Sequence, residues 1–461
     1  PGTITDADLV SPDNPTGAIT SANMRTSWSL VDPVTGVATL ITGTGNLSVR
    51  ADGALIAGAT PVTGQIVRGF VGAQDLFGYI DGVSKDYNLI VGTAAGETLT
   101  GLNNETLGDA IHGLAGNDII NGQRGADLID GGDGNDRLTG GEGNDVVRGG
   151  NGDDTFVVTR DDGNDTYVGG AGIDTINTTA SDAAMNVNLH GGIVSSSETG
   201  TDSIATVENV VTGRGADVIA LNALANTVNA GDGNDTVIVR SDIHRDVIAG
   251  GEGTDTIDYR FYNTALTIDL SVATSVVVGS GSTEASSDTI TGFENATSGS
   301  GADTLRGSAG ANTLIAGAGN DTVIGGAGND NLQGGDGNDS LQGDAGADTI
   351  ATGAGLDTIR YLLVTDSAGL SVDTITDFTR GSDRIDLSAI DASTAARGDQ
   401  AFQFIGTNAF TSANQNGSIR YAYDAATNRT TIQISNDADT ASEMEIVLVG
   451  QVALTATDFV L

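Results

Sequence analysis

Gly325-Gly-Ala-Gly-Asn-Asp330-Asn-Leu-Gln333 runs directly into Gly334-Gly-Asp-Gly-Asn-Asp339-Ser-Leu-Gln342, two copies of one nine-residue phrase. Outward from this pair the phase holds over residues 298–360, seven units of nine. Position six is Asp303, Asp321, Asp330, Asp339, Asp348 and Asp357, with Asn312 the exception, and position eight is always Leu, Val or Ile. An earlier array opens with Gly113-Leu-Ala-Gly-Asn-Asp118-Ile-Ile-Asn121 and continues in units that start at Gly122, Gly131, Gly140 and Gly149.

Each position has a physical task. Glycine tolerates positive φ and close backbone approach, so six residues can make a tight turn whose carbonyls face one spot. Asp at position six adds a carboxylate, and the aliphatic residue at position eight enters a short strand pointing inward. One unit cannot bury that side chain alone, whereas two units per coil, stacked as a parallel solenoid, can. The turns then form two ladders of oxygen atoms. Carbonyls and carboxylates without thiolate or imidazole suit a hard cation, Ca2+ rather than Zn2+.

Composition leads to the same place. The chain has 461 residues, 61 acidic against 19 basic, and a formal net charge of −42. Lys85 is the single lysine, so no polybasic surface exists to bind nucleic acid or an anionic membrane. Cysteine is absent, which excludes disulfides and zinc-thiolate sites. No apolar run is long enough to span a bilayer. With 38% hydrophobic residues the chain is too apolar for a disordered acidic tail, so a folded form needs a cation to hold its charges together.

The chain divides into three by composition. All five prolines and Trp28 lie within residues 1–61, and residues 1–91 read as a small antiparallel β domain. Residues 92–360 read as a parallel β-roll with nonapeptide blocks at 92–177, 212–258 and 298–360, so the expected fold class is all-β. A longer repeat overlies the short one. Asp202-Ser-Ile-Ala-Thr-Val-Glu-Asn209 recurs as Asp288-Thr-Ile-Thr-Gly-Phe-Glu-Asn295 at an offset of 86, while Asp174-Thr-Ile176 recurs as Asp255-Thr-Ile257 at 81. The stretches between blocks are therefore expected to continue the same stack. At 18 residues per coil, 92–360 would make roughly 15 coils and a rod of about 70 Å. Residues 361–461 alternate in β fashion through Asp373-Thr-Ile-Thr-Asp-Phe378 and Asp383-Arg-Ile-Asp-Leu-Ser388.

The nonapeptide resembles the Gly-Gly-x-Gly-x-Asp-x-aliphatic-x unit of RTX (repeats-in-toxin) proteins. The resemblance implies Ca2+ held between stacked turns by position-six aspartates and turn carbonyls. Carried over residue by residue, the carboxylates are Asp118, Asp127, Asp136, Asp145, Asp154, Asp174, Asp217, Asp235, Asp255, Asp303, Asp321, Asp330, Asp339, Asp348 and Asp357. The turn glycines are Gly116, Gly132, Gly134, Gly141, Gly143, Gly150, Gly152, Gly317, Gly319, Gly326, Gly328, Gly335 and Gly337. About a dozen ions would offset roughly 24 negative charges. The last fifth of the chain resembles the C-terminal domain of serralysin-type secreted proteins. It carries the two motifs just quoted, Ala401-Phe-Gln-Phe-Ile-Gly406 and the ending Leu454-Thr-Ala-Thr-Asp-Phe-Val-Leu461. This implies a β cap that holds the signal for a type I secretion apparatus, and thus a secreted protein of a Gram-negative bacterium. Ser435-Asn-Asp-Ala-Asp-Thr440 departs from the family's glycine-containing acidic loop, which weakens any calcium site there.

No catalytic constellation is found. A zinc protease needs His-Glu-x-x-His, and the three histidines, His112, His190 and His244, are far apart in sequence and read as solvated turn residues. There is no Gly-x-Ser-x-Gly elbow. Pairs such as Asp153-Asp154 and Asp161-Asp162 carry little information in so acidic a chain. The labile Asp32-Pro33 bond reads as a turn rather than a self-cleavage site. Three function classes follow in order: a non-catalytic surface-layer or matrix protein that self-associates or joins the cell surface, a calcium-dependent adhesin or glycan-binding module, and the non-catalytic part of a secreted enzyme. Degenerate units at 104–112 and 221–229 leave their ion occupancy open.

Overall fold

The computed structural model describes residues 86–103, 108–240, 243–279, 287–393, 400–411, 416–437 and 441–461, with the backbone of five strands between Trp28 and Phe70. Asp32-Pro33 and residues 104–107 lie outside the described residues. The fold is all-β, and its nonapeptide arrays form parallel β-roll. Among the described residues the helical segments are two 3-10 turns, Val364–Ser367 and Ala456–Asp458. The chain forms two compact units, 1–219 and 220–461.

In the first unit, alternate nonapeptides feed two parallel sheets. One sheet stacks Gly108–Ala115, Leu128–Asp133, Val146–Asn151 and Thr166–Ala171, with Ile111 opposite Ile129, Ile129 opposite Val147 and Val147 opposite Tyr167. The other stacks Ile119–Arg124, Arg137–Glu142, Thr155–Val157 and Thr175–Asn177, with Ile120, Leu138, Phe156 and Ile176 in register. All eight side chains are fully buried. Position eight is inward and seven and nine outward because successive Cβ atoms in a strand alternate faces. Burial of each such aliphatic side chain is worth about 1.5–3 kcal/mol, and apolar side chains at equivalent positions make each coil a template for the next.

Upstream, Ala38–Ile41, Trp28–Val31, Ile66–Phe70 and Asp86–Val91 form an antiparallel run. Asp86–Val91 also pairs in parallel with Gly108–Ala115, so this strand is where antiparallel pairing changes to the roll.

The second unit repeats the plan. Leu314, Leu332, Ile350 and Ile375 line one sheet, and Ile268, Leu305, Val323, Leu341, Ile359 and Ile385 the other, each fully buried. Pairing continues past residue 360. Thr358–Arg360 pairs with Arg384–Asp386 and then Phe459–Val460, while Thr349–Ala354 pairs with Asp373–Ile375 and then Met444–Val449. From Met444–Val449 the sheet turns antiparallel through Arg429–Ser435 and Ser418–Asp424.

The irregular stretches between blocks also pair into the sheets, but through antiparallel flaps. In the first unit Gly200–Ala205 lies parallel to Thr166–Ala171 and antiparallel to Ile193–Ser196, which in turn is antiparallel to Asn186–Asn188. In the second, Ser287–Thr291 lies parallel to Val247–Ala249 and antiparallel to Thr274–Gly279, which is antiparallel to Leu266–Asp269. The first two strands of the flaps keep the offset of 81 and the third takes 86, so the five extra residues of the second flap sit between its second and third strands.

Leu332→Ala should remove an inward side chain packed between Leu314 and Ile350. A loss of about 2–5 kcal/mol is expected in urea unfolding of the calcium-loaded protein, and Gln333→Ala on the outward face should change little.

Candidate metal centre

The strand of each unit starts at position seven, so the position-six carboxylate sits at the mouth of the turn, against the neighbouring coil. There the backbone N–H of one aspartate is donated to Oδ1 of the aspartate one coil later. In the first unit Asp109, Asp127, Asp145, Asp165 and Asp202 form one such series, with N···O distances of 2.7, 2.7, 2.9 and 2.9 Å. Glu97, Asp118, Asp136, Asp154, Asp174 and Glu208 form the other, at 2.8, 2.8, 2.8, 2.9 and 2.9 Å. In the second unit Leu266, Asp303, Asp321, Asp339, Asp357 and Asp383 are linked in turn. So are Asn312, Asp330, Asp348 and Asp373. Shorter series join Asp235, Asp255 and Glu294, and Asn226, Asp246 and Asp288. Asp217 accepts from Met185.

This arrangement occupies one oxygen per carboxylate. Oδ2 of Asp118, Asp127, Asp136, Asp145, Asp154, Asp174, Asp255, Asp321, Asp330, Asp339 and Asp348 is buried without a hydrogen-bond partner. Such oxygens are costly unless something positive meets them.

The glycines hold the space around them open. A Cβ added at Gly334 would stand 2.5 Å from both Asp339 Oδ2 and Thr352 O. Gly335 and Gly337 have φ of 110° and 147°, and a Cβ on either would strike the carbonyl oxygen of Gly317 or Gly319, one coil earlier. Turn carbonyls therefore point along the stack at the next turn, while the carboxylates reach back to the one before. Among the described residues no three carboxylate or imidazole side chains converge on one point. An ion here would be held by one or two of these carboxylates together with turn carbonyls, an all-oxygen donor set that fits Ca2+.

All fifteen aspartates singled out from the sequence are buried at the turns, in these series. Asp109, Asp165, Asp202, Asp246, Asp288, Asp373 and Asp383 belong to them as well and were missed. Their signal was Asp-x-aliphatic (or Tyr) without the glycine turn, as in Asp202-Ser-Ile204 and Asp383-Arg-Ile385. A second series, mostly of asparagines, runs beside the first. Asn117 Oδ1 accepts the N–H of Asn135, Asn135 that of Asp153, and Asp153 that of Ile173, at 3.0, 3.1 and 2.9 Å. Asn320, Asn338 and Leu356 do the same. Position five thus reaches toward the coil that follows, and position six toward the coil before it. His112 lies on a strand beside Asp130 rather than in a turn, while His190 and His244 are exposed. Of the acidic pairs, Asp154 and Asp162 are buried and Asp153 and Asp161 exposed.

Burial pushes Asp145 up to about 8, Asp127, Asp154, Asp321 and Asp348 to about 7, and Asp118, Asp174 and Asp330 to about 6. The N–H donated to Oδ1 opposes the rise, and neighbouring carboxylates add to it. Without a cation the folded turns therefore hold protons that an unfolded aspartate releases near pH 3.9. Stability of the ion-free roll is present below about pH 4 and is lost as pH rises toward 8. In chelator, β-sheet circular dichroism should be strongest near pH 4–5 and decline by pH 8; a signal that grows over that range would contradict this.

Residues 106–138, 130–158, 159–182 and 207–241 match the RTX calcium-binding nonapeptide repeat. Residues 244–461 match the peptidase M10 serralysin C-terminal family. Metalloprotease AprA of Pseudomonas entomophila (strain L48) is 37% identical over 92 residues, which is 20% of this chain and 18% of that protein, so the match spans under a fifth of the relative's length. The R3 subunit of the AlgE6 mannuronan C5-epimerase of Azotobacter vinelandii, solved in solution, is 29% identical over 34% of this chain and 76% of that subunit, with a TM-score of 0.24. The R2 subunit is 25% identical over 32% and 79%, with a TM-score of 0.21. The matched segments are repeat and C-terminal regions, with no protease catalytic domain among them.

Proposed function

We propose, from the premise that this chain carries RTX calcium-binding nonapeptide repeats and a serralysin-type C-terminal region, that it is a secreted, non-catalytic structural protein of a Gram-negative cell surface or extracellular matrix. The observation that carries the reading is the row of buried, unpartnered Oδ2 atoms aligned with turn carbonyls. Position-eight rows and carboxylate series run through both units, which is what a scaffold requires. The serralysin-type region supports export through a type I apparatus. Among the described residues no helix is long and apolar enough to cross a membrane.

Bound calcium supplies the positive charge that the second carboxylate oxygens lack. The position-six aspartates hold neighbouring coils in register through Oδ1 and present Oδ2 to the turn. The glycines keep side chains out of that space, and the position-eight residues exclude water behind it. At the low calcium of a cytoplasm these carboxylates repel one another and the chain stays open for export, while millimolar calcium outside couples ion binding to folding. About a dozen ions are expected per chain, and assembly into layers or filaments follows folding.

Three measurements test this. Circular dichroism in chelator and in millimolar calcium at pH 7.5 should show a large gain of β signal on calcium addition, and equal spectra would refute the calcium reading. Asp339→Asn keeps an Oδ1 acceptor but removes the charge, and should raise the calcium concentration at half folding while lowering the number of ions bound. Electron microscopy with calcium should show ordered sheets or filaments. A persistent monomer that binds glycan would favour an adhesin instead, and turnover of casein or esters would favour an enzyme.

A further inference from the structure

Where a carboxylate of the buried series has a partner on its second oxygen, Asp109 and Asp383 accept backbone N–H groups, from Leu102 and Thr379, whereas Asp165 and Asp288 accept a buried phenol. Asp165 accepts the Asp145 N–H at Oδ1, 2.9 Å away, and the Tyr167 hydroxyl at Oδ2, 2.8 Å away. Asp288 accepts the Asp246 N–H at Oδ1, 2.9 Å away, and the Tyr259 hydroxyl at Oδ2, 3.2 Å away. Both rings are fully buried. Tyr167 packs 5.5 Å from Phe156 and Tyr259 packs 5.3 Å from Tyr262, centroid to centroid. Neither aspartate follows a double-glycine turn, since Arg160-Asp-Asp-Gly-Asn precedes Asp165 and Glu284-Ala-Ser-Ser precedes Asp288. Each therefore pairs the loss of the glycine pair with a supplied proton donor, although Gly163, with φ of 116°, is kept before Asp165.

Asn312 solves the same problem in another way. Its amide replaces the carboxylate, Oδ1 accepts the Ser308 N–H at 2.7 Å, and Nδ2 donates to Glu294 O at 2.5 Å and Ser308 Oγ at 3.1 Å. No second oxygen is left over. Ser308 stands where the other turns have their second glycine.

We infer that Asp165 and Asp288 are rungs closed by a tyrosine hydroxyl in place of a cation, so that the roll of each unit contains a fixed, calcium-independent step between its calcium-dependent ones. The inference rests on the calcium reading above and deepens it by saying which turns hold no ion. A phenol held away from water and facing carboxylates keeps its proton, as the raised titration of both tyrosines indicates. It stays a donor at any pH at which the protein folds. The Tyr259 phenol reaches Asp288 on the third strand of its flap, whereas the Tyr167 phenol closes the aspartate two residues before it, beside the strand that pairs with the other flap.

The test uses the full chain as wild type, Tyr167→Phe and Tyr259→Phe, each variant losing one oxygen and keeping the ring in the core. Calcium bound per chain is measured by equilibrium dialysis, and the calcium concentration at half folding by circular dichroism. The expected result is an unchanged number of ions and a half-folding concentration raised roughly twofold in each variant, because a buried carboxylate has lost its donor and no glycine pair offers a replacement. One additional ion per chain in the variants, or an unmoved half-folding concentration, would overturn the inference. If the wild type binds no calcium, the calcium reading fails by itself. Thermal midpoints in chelator then decide the phenol rungs, which predict a lowering of a few degrees in both variants, and unchanged midpoints overturn them.

Discussion

A carboxylate has two oxygens, and at most turns this fold provides a hydrogen-bond partner for only one of them. Everything else in the two units is arranged around that incompleteness. Oδ1 binds the backbone of the preceding coil and fixes register, so the side chain cannot swing out to water. Oδ2 is left facing glycine and main-chain carbonyls in a space too small for a side chain. Were the aspartates free to rotate, the net charge of −42 would be a diffuse surface property. Because they are clamped, charge is concentrated along lines where only a small, hard cation or a proton relieves it.

Proton and cation are therefore alternatives at the same atoms. Burial raises the carboxyl groups to near neutrality, so acid supplies by protonation what calcium supplies by coordination. The two are not equivalent in consequence. A proton neutralises one carboxyl, whereas a divalent ion would also draw on the carbonyls that face it from the turns and so would join coils to each other.

Much of this was legible in the sequence because the physical unit and the sequence unit coincide. Leu332 and Leu341 are both nine residues apart and on opposite sheets, so the phase of the pattern is the geometry of the roll. Where the two part company, the reading fell short. In the sequence glycine marks a rung, yet Asp202 and Asp373 sit in the series with no glycine pair before them, because the ladder needs only an aspartate and an inward side chain two residues later. The flaps were hidden for a different reason. Alternation of inward and outward residues is the same in parallel and antiparallel strands, so the reversal of Ile193–Ser196 and Thr274–Gly279 leaves no mark in the pattern. The asparagines of position five stood in the repeated phrase itself. Their role depends on a bond to the next coil, which a single unit does not display.

The links between rungs join residues separated by very different lengths of chain. Asp118 to Asp136 spans 18 residues, Asp136's neighbour Asp145 to Asp165 spans 20, Asp165 to Asp202 spans 37 and Asp246 to Asp288 spans 42, yet the bonds differ by no more than about 0.2 Å. The scaffold constrains only where the chain leaves a rung and where it re-enters. Contour length between those points is a free variable, so new peptide can be carried at the flaps without disturbing the stack. In evolution that makes the flaps the natural places for such a roll to acquire loops, and in the laboratory it makes them sites for grafting.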